Sequence, residues 1–139
     1  WVSVDGKDDW LSWCESEEFG WASFEHRHVV KLRPSANVIV LGDGGDFREF
    51  YDEYAEDPYK RMSIPYFKIN WERVAQDYDG ILIPTYHWEF RLDGEFSNFY
   101  YCWDAASGCI WGADAVESIT RDPEWETPKW KTWEEKNAT

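Results

Sequence analysis

His87 and Glu89 are the polar pair in this sequence whose types and spacing are best suited to chemistry. Residues 86–90 have the composition of a β-strand, in which residues two apart project from the same side. An imidazole and a carboxylate on one side of a strand can together orient a reacting group. We therefore single out His87 and Glu89 as candidate residues of a catalytic site.

A second group of residues that could take part in catalysis or binding is a set of carboxylates in a tryptophan-containing part of the chain. Glu89, Asp104, Asp114 and Glu117 follow one another there. Surfaces that combine tryptophan with paired carboxylates are used for sugar binding and for glycoside cleavage. In a chain with this many acidic residues, carboxylates also lie near tryptophan on a solvent-exposed face that has no function. Both interpretations, a sugar site and a solvated face, therefore stay open.

The common metal-binding and nucleophilic patterns are not favoured. His26 and His28 lie two apart and could chelate an ion together, but no CxxC, HExxH or calcium-loop pattern accompanies them. Ser107 and Cys109 flank a glycine without the outer glycines of a nucleophile elbow. Cys109 also lies among apolar residues, where a thiol is not activated. We expect no bound metal and no hydrolase of this kind.

Residues 42–45, Gly-Asp-Gly-Gly, form a glycine-rich turn that could be read as a phosphate cradle. The spacing fits neither the dinucleotide-binding fingerprint nor the P-loop, and Asp43 and Asp46 would repel a phosphate. A plain strand-to-helix turn, with Asp46 as the helix cap, is the favoured interpretation.

The charge balance excludes some partners. Among 139 residues, 28 Asp and Glu stand against 14 Lys and Arg, a formal net charge of -14. This argues against binding to nucleic acid or to an anionic membrane, and favours solubility, a cationic partner or mimicry of nucleic acid.

No apolar run approaches bilayer length and no leader is evident, so we predict a cytoplasmic or virion-associated protein.

The cysteine count predicts free thiols. Cys14, Cys102 and Cys109 are an odd number and a poor disulfide framework. We expect buried free thiols, while pairing of Cys102 with Cys109 stays open.

Residues 98–119 are the stretch around which we expect the domain to be organised. Two aromatic-rich runs, 99–103 and 109–111, flank a small polar corner at residues 104–108. This pattern predicts two buried strands joined by a polar loop. Because loops at strand ends often carry chemistry, we expect the loop to form part of a cleft.

Three further segments predict helices. Asp8 or Asp9 caps a helix from Trp10 to Phe19, and Asn70 caps a short helix at 71–78. The inward residues of that short helix are predicted to be Trp71, Val74, Ala75 and Tyr78. After Asp46, an aromatic stripe at positions i, i+3, i+4 and i+7 faces the core: Phe47, Phe50, Tyr51 and Tyr54.

Four apolar segments predict strands, at residues 1–4, 28–33, 37–41 and 81–83. Residues 37–41 are the most apolar unbroken run, so we expect a central strand that is buried on both faces. Aromatic residues are 19% of the chain and include 11 Trp, which predicts a core built largely on rings.

The elements together predict one α+β domain, residues 1–120, with a mixed aromatic-packed β-sheet of five to seven strands and two or three short helices. Residues 121–139 are predicted to be an extended tail containing Trp125, Trp130 and Trp133. These indoles either pack on the domain as a latch or dock on a protein partner.

The order of these elements resembles the ADP-ribosyltransferase-like fold, in its poly-ADP-ribose polymerase branch. There a strand of the type Gly-Ile-Tyr-Phe-Ala precedes a helix rich in small and aromatic residues. Trp1-Val2-Ser3 followed by the helix from Trp10 looks similar. The late strand of that family, in which a Glu precedes an apolar run, is similar to residues 107–116, with Ser107 at the position of the Glu.

The resemblance implies NAD as cofactor, bound in a cleft near Trp1, Ser3 and Gly108, with Trp1 stacked on the nicotinamide ring. Ser107 cannot stabilise an oxocarbenium-like sugar by charge, so we assign that role to Asp104 in the same loop, with His87 and Glu89 as orienting groups. The family's His or Arg lies on a strand before the position of Trp1. The chain starts without Met, so we expect further residues upstream.

Two other functions stay open. The acidity and the tryptophan-rich tail also suit a non-enzymatic interaction or structural protein, such as a viral or phage-type accessory or virion component. Exposed tryptophan faces also suit a carbohydrate-binding module.

Overall fold

The computed structural model of the chain describes residues 1–19, 24–57 and 67–129. Within these ranges the fold is α+β, as predicted, with an aromatic-packed core. The strands are β1 Val2–Ser3, β2 His28–Leu32, β3 Val38–Val40, β4 Ala55–Glu56, β5 Lys68–Ile69, β6 Gly80–Ile83, β7 Ser107–Ile110 and β8 Val116–Arg121. The helices are α1 Trp10–Ser16, α2 Gly44–Tyr54, α3 Trp71–Asp77, α4 Trp88–Arg91 and α5 Ser97–Tyr100, with a 3₁₀ helix at Ala113–Ala115.

The main sheet has four strands in the order β1-β7-β6-β3. β3 runs parallel to β6, whereas β7 is antiparallel to both β6 and β1, so the sheet is mixed. β2 pairs with β8, and β4 with β5, in two separate ribbons. The prediction of one sheet with five to seven strands was therefore wrong for the described residues, which divide their strands among three sheets.

The central buried strand is β6 rather than the run at 37–41. β6 has neighbours on both sides, and Ile81 and Ile83 are fully enclosed. β3 lies at the edge of the four-stranded sheet, and the side chain of Val40 is 50% exposed. Hydrophobicity alone did not distinguish the two, because an edge strand of this length can be as apolar as a central one.

The organising stretch is a helix, a loop and a strand, not a hairpin. Ser97–Tyr100 is α5, whereas β7 is a strand as predicted. Phe96, Phe99 and Tyr100 have helical spacing, and all three are buried with ring contacts to Phe47. The ring contacts with Phe47 of α2 stabilise the helical conformation of this segment. The composition of the segment alone did not indicate a helix.

His87 and Glu89 also lie outside any strand. The chain turns into α4 at Trp88, and His87 is the residue before the helix. The prediction that period two would put both side chains on one side of a strand was wrong, because a helix start sets their positions instead.

Helix α2 carries the aromatic stripe that the sequence predicts, and Phe47, Phe50, Tyr51 and Tyr54 are all buried. Its cap differs from the prediction. Asp43 is the N-cap and accepts hydrogen bonds from the backbone N–H groups of Gly45 and Asp46. The side chain of Asp46 reaches back to the N–H of Asp43 and completes a capping box.

The caps of α1 and α3 are confirmed as Asp9 and Asn70. Val74 in α3 is buried as predicted, but Trp71 and Ala75 are exposed. Trp71 and Tyr78 nevertheless face the domain as predicted, since the ring of Trp71 lies 5.9 Å from Phe50 and Tyr78 packs against the core.

The start of the predicted tail belongs to the fold. Arg121 is the last residue of β8, and the indole Nε1 of Trp125 donates to the carbonyl oxygen of Phe24 at 2.9 Å. Trp130 and Trp133 lie outside the described residues.

None of the described helices is long and apolar enough to cross a lipid bilayer.

Candidate functional site

A cavity of about 500 Å³ opens between the main sheet and helices α3 and α5. Aromatic rings dominate its walls, and we call it the tryptophan cavity. The residues that line it are Trp1, Trp71, Ala75, Ile81, Phe99, Cys102, Trp103, Cys109 and Trp111. Its size suits a small organic ligand or one ring system of a larger one.

The main sheet supplies the base of the tryptophan cavity. Ile81 of β6 and Cys109 of β7 are register partners, so their side chains lie side by side on one face. Trp111 follows two residues later, and its Nε1 donates to the carbonyl oxygen of Tyr78 at 2.6 Å. This hydrogen bond fixes the orientation of one indole wall.

Two further indoles are held by ring contacts. Trp103 stacks on Tyr100, with ring centroids 6.0 Å apart, and meets Trp1 edge to face at 5.0 Å. Trp103 is buried, whereas Trp1 is largely exposed at the rim. The wall is therefore rigid at its base and open at its mouth.

Trp71 forms the opposite part of the rim. It is the first residue of α3, and its ring lies 5.9 Å from Phe50 and 6.5 Å from Phe99. Its side chain is 41% exposed. An incoming ring would thus meet two partly exposed indoles, Trp1 and Trp71, before it reached the buried ones.

The tryptophan cavity is uncharged. Its lining, as far as the chain is described, contains no Lys, Arg, His, Asp or Glu. An anionic group placed there would find no cationic partner, and a hydrated metal ion would find no oxygen ligand among the side chains of these lining residues. The indole faces, by contrast, offer apolar area and a negative quadrupole to a flat or cationic ligand.

Only one of the predicted site residues, Trp1, lines the tryptophan cavity. Ser3 lies on β1 opposite Ser107 of β7, and its hydroxyl accepts from the backbone N–H of Trp10 at 2.9 Å. The Ser107 hydroxyl donates to the carbonyl oxygen of Ala105 at 2.9 Å. Both serines therefore have structural partners in the fold.

Gly108, predicted to contact the cofactor, is buried within the main sheet between Val2 of β1 and Leu82 of β6. A Cβ atom at Gly108 would lie 2.2 Å from the carbonyl oxygen of Ile81. The glycine is required for this close approach of the two strands.

Asp104 does not line the tryptophan cavity and forms an ion pair instead. Its Oδ1 lies 3.0 Å from Nη1 of Arg91, which also donates to the hydroxyl of Tyr86 at 3.2 Å. Close by, the hydroxyl of Tyr100 accepts a hydrogen bond from the backbone N–H of His87 at 2.9 Å.

His87 is held by packing and hydrogen bonding. Its Nε2 lies 2.9 Å from the carbonyl oxygen of Gly42, and its ring stacks on Phe90. Its Nδ1 is 3.6 Å from a carboxylate oxygen of Glu89, so the structure does bring this pair together. The pair does not line the tryptophan cavity, and His87 joins α4 to the start of α2.

A second cavity, of about 710 Å³, lies on the other face of the main sheet, where Leu82 and Ile110 contribute to its lining. His26 and His28 both line it, but Arg121 approaches Nδ1 of His26 at 3.0 Å. No group of three or more His, Cys, Asp or Glu residues in the described part of the chain is arranged to hold a metal ion.

The sequence reasoning missed Trp71, Trp103 and Trp111 as members of one site. Their abundance was visible, but they come from α3, from the loop after α5 and from the segment after β7. No local spacing connects them, because only the packing of α3 and α5 on the sheet brings them together.

Comparison of the chain with protein-family models, with curated proteins and with solved structures found no match.

Proposed function

We propose that this domain is an ADP-ribosyltransferase-like domain that binds NAD without transferring ADP-ribose, with the nicotinamide ring in the tryptophan cavity. The observation that carries the proposal is the uncharged cavity of about 500 Å³ with four indoles in its lining. One of these is Trp1, the residue that the sequence resemblance assigns to stacking on nicotinamide.

Ring stacking supports this assignment. A buried aromatic side chain removes roughly 150–250 Å² from water, and offset or edge-to-face ring pairs add about 0.5–1.5 kcal/mol beyond that area. Trp1 and Trp71 at the rim leave part of their surface for a ligand to cover. The ribose and diphosphate would extend from the mouth of the cavity into solvent.

The placement of the carboxylates supports binding without transfer. ADP-ribosyl transfer develops positive charge on the ribose, which a carboxylate beside the sugar would stabilise. Asp104, our sequence-based candidate for that role, is paired with Arg91 and does not line the cavity. Ser107, at the position of the family's Glu, carries no charge.

Titration of the protein with NAD, followed by tryptophan fluorescence and by melting temperature, tests the proposal. We expect quenching and a higher melting temperature with NAD, and neither with ADP-ribose, which lacks the nicotinamide ring. No response to millimolar NAD would contradict NAD binding.

A matched pair of variants tests the location of the site. Trp71 and Trp88 are each the first residue of a helix and are 41% and 62% exposed, but only Trp71 lines the cavity. We expect Trp71→Leu to weaken NAD binding about tenfold and Trp88→Leu to leave it unchanged. Equal effects of the two changes would place NAD elsewhere.

Incubation with labelled NAD and a cell lysate tests the absence of transfer. We expect no label on protein. Transfer that survives in Asp104→Asn would show a different catalytic group, whereas transfer abolished by that change would restore Asp104 to the role that the sequence predicted.

A non-enzymatic interaction protein is the second candidate, and one surface favours it. Trp88, Leu92 and Tyr101 are more than half exposed, and the Arg91 guanidinium lies 5.7 Å from the Trp88 ring and 5.3 Å from the Tyr101 ring. Trp, Tyr and Arg are the residues that most often dominate binding energy at protein interfaces. A partner retained by wild type and by Trp71→Leu, but lost with Trp88→Glu, would support this function.

A further inference from the structure

We infer that the tryptophan cavity selects positively charged, weakly hydrated organic groups over neutral groups of the same shape. The inference rests on the proposed function only in placing a ligand in this cavity. It extends the ligand class from the pyridinium ring of oxidised NAD to alkylated ammonium groups.

The walls of the cavity supply the attraction. Indole is the aromatic ring that binds cations most strongly, and the attraction grows when water is excluded. Trp103 and Trp111 line the cavity with fixed orientations, because Trp103 stacks on Tyr100 and Trp111 is hydrogen-bonded to Tyr78. Trp1 and Trp71 complete the aromatic surface at the mouth.

The surrounding charge favours the same ligand class. The chain has a formal net charge of -14, which raises the local concentration of cations near the surface. Arg73 lies two residues after Trp71 on α3, but its guanidinium is bound by Glu53 and Glu56 at 2.7 and 3.2 Å. It does not line the cavity, so no positive side chain among the described lining residues competes with the ligand.

The same lining rejects strongly hydrated cations. A sodium ion or a primary ammonium group would lose its water shell without gaining carboxylate or carbonyl ligands from the side chains of the lining. A quaternary ammonium or a pyridinium ring spreads its charge over carbon-bearing groups and has little hydration to lose. The cavity thus discriminates by charge and by hydration together.

A neutral isostere separates charge from shape. Choline and 3,3-dimethylbutan-1-ol have the same outline, as do 1-methylnicotinamide and its uncharged carbon-ring counterpart 3-methylbenzamide. In calorimetric titrations of the wild-type protein, we expect each cation to bind about tenfold more tightly than its neutral partner. The ratio should fall as salt is added, because added ions screen the field of the acidic surface.

Trp71→Leu and Trp88→Leu then test whether the indoles carry the preference. Leucine keeps the rim apolar but removes one π face. We expect Trp71→Leu to weaken the binding of both cations several-fold and the binding of the neutral ligands much less. Trp88→Leu should leave the affinities for all four probes unchanged. Circular dichroism establishes that both variants fold. The comparison of charged and neutral probes on the wild-type protein does not depend on either variant.

The outcomes for this inference and for NAD binding are distinct. Preference for both cations without NAD binding supports the inference and contradicts the proposed function. NAD binding that equals the binding of NADH, whose ring is neutral, overturns the inference and leaves the proposed function standing. Equal affinities within both isosteric pairs, or no binding of any probe, also overturn the inference.

Discussion

Nη1 of Arg91 lies 3.0 Å from Oδ1 of Asp104, so the carboxylate that the sequence singled out for catalysis is paired with an arginine, and it does not line the tryptophan cavity. Both side chains are partly buried, and the Arg91 guanidinium also lies over the ring of Tyr101. The geometry gives Asp104 a structural role, in which it neutralises an arginine that is packed among aromatic rings.

Replacement of Asp104 by Asn tests that role. We expect the free energy of unfolding to fall by about 1 kcal/mol, because a charge-assisted hydrogen bond in a partly exposed pair becomes a neutral one. NAD affinity should not change. Urea denaturation and fluorescence titration measure the two quantities, with the exposed Asp114→Asn as the control. Loss of NAD binding without loss of stability would return Asp104 to the site.

The contact of β7 with β6 predicts a large effect at Gly108. A Cβ there would lie 2.2 Å from the carbonyl oxygen of Ile81, so Gly108→Ala must force the strands apart. We expect a loss of roughly 3 kcal/mol or more, or no folded protein. Gly94→Ala is the matched control, since a Cβ at that position meets nothing within 4 Å. It should change stability by less than about 0.5 kcal/mol. Similar melting temperatures for the two variants would contradict the strand pairing.

The three thiols should react at different rates. All three cysteines are free, but the prediction that they are buried was wrong for Cys102, which is exposed, and Cys109 is partly exposed. Cys14 is enclosed, and burial raises the pKa of its thiol. With a thiol-specific chromophore we expect one fast equivalent, removed by Cys102→Ser, and three equivalents after denaturation.

Ligand binding should slow the reaction of Cys102, because this residue lines the tryptophan cavity. We expect NAD and 1-methylnicotinamide to protect Cys102 at concentrations that match their dissociation constants. A rate that stays constant when fluorescence reports saturation would show that the ligand lies elsewhere.

Two tyrosines predict loss of stability in alkali. Burial raises the pKa of both Tyr54 and Tyr100 above the ordinary value of 10.0, and the Asp77 carboxylate, 2.7 Å from the Tyr54 hydroxyl, raises the pKa of Tyr54 further. The folded state therefore holds these protons more tightly than the unfolded state. Their contribution is complete below about pH 10 and is lost as the pH rises from there towards the folded-state pKa values.

Urea denaturation at pH 8 to 11 measures this loss. We expect Tyr54→Phe and Tyr100→Phe each to flatten the decline above pH 10, because each removes one proton that the folded state retains. Tyr101→Phe, at an exposed position, should follow the wild type. An unchanged alkaline slope in both buried variants would contradict the burial of these hydroxyls.

Local signals predicted several elements correctly because a short range of sequence contains their physical causes. The stripe from Phe47 to Tyr54 has helical period, and the side-chain oxygens of Asp9 and Asn70 satisfy N–H groups three residues away. The cap of α2 was misplaced by three residues, because Asp43 and Asp46 are both acceptable caps and only the geometry distinguishes the cap from its capping-box partner.

Segments whose structure depends on distant partners were predicted less well. The four residues of α5 are aromatic-rich and have no strong helical propensity, and their contact with Phe47 decides their conformation. The edge position of β3 depends equally on where β7 and β6 pair. Neither partner can be identified from the segment itself.

By itself, the sequence determined the α+β class, the aromatic core, the main helix and the acidic character of the surface, because composition, period and charge are properties of neighbouring residues. Only the tertiary structure decided that Trp1, Trp71, Trp103 and Trp111 line one uncharged cavity. It also decided that Asp104 and His87 have partners outside that cavity. The reason is physical: a site assembled from four separate segments exists only once the sheet and helices have packed, and packing couples residues that the chain keeps far apart.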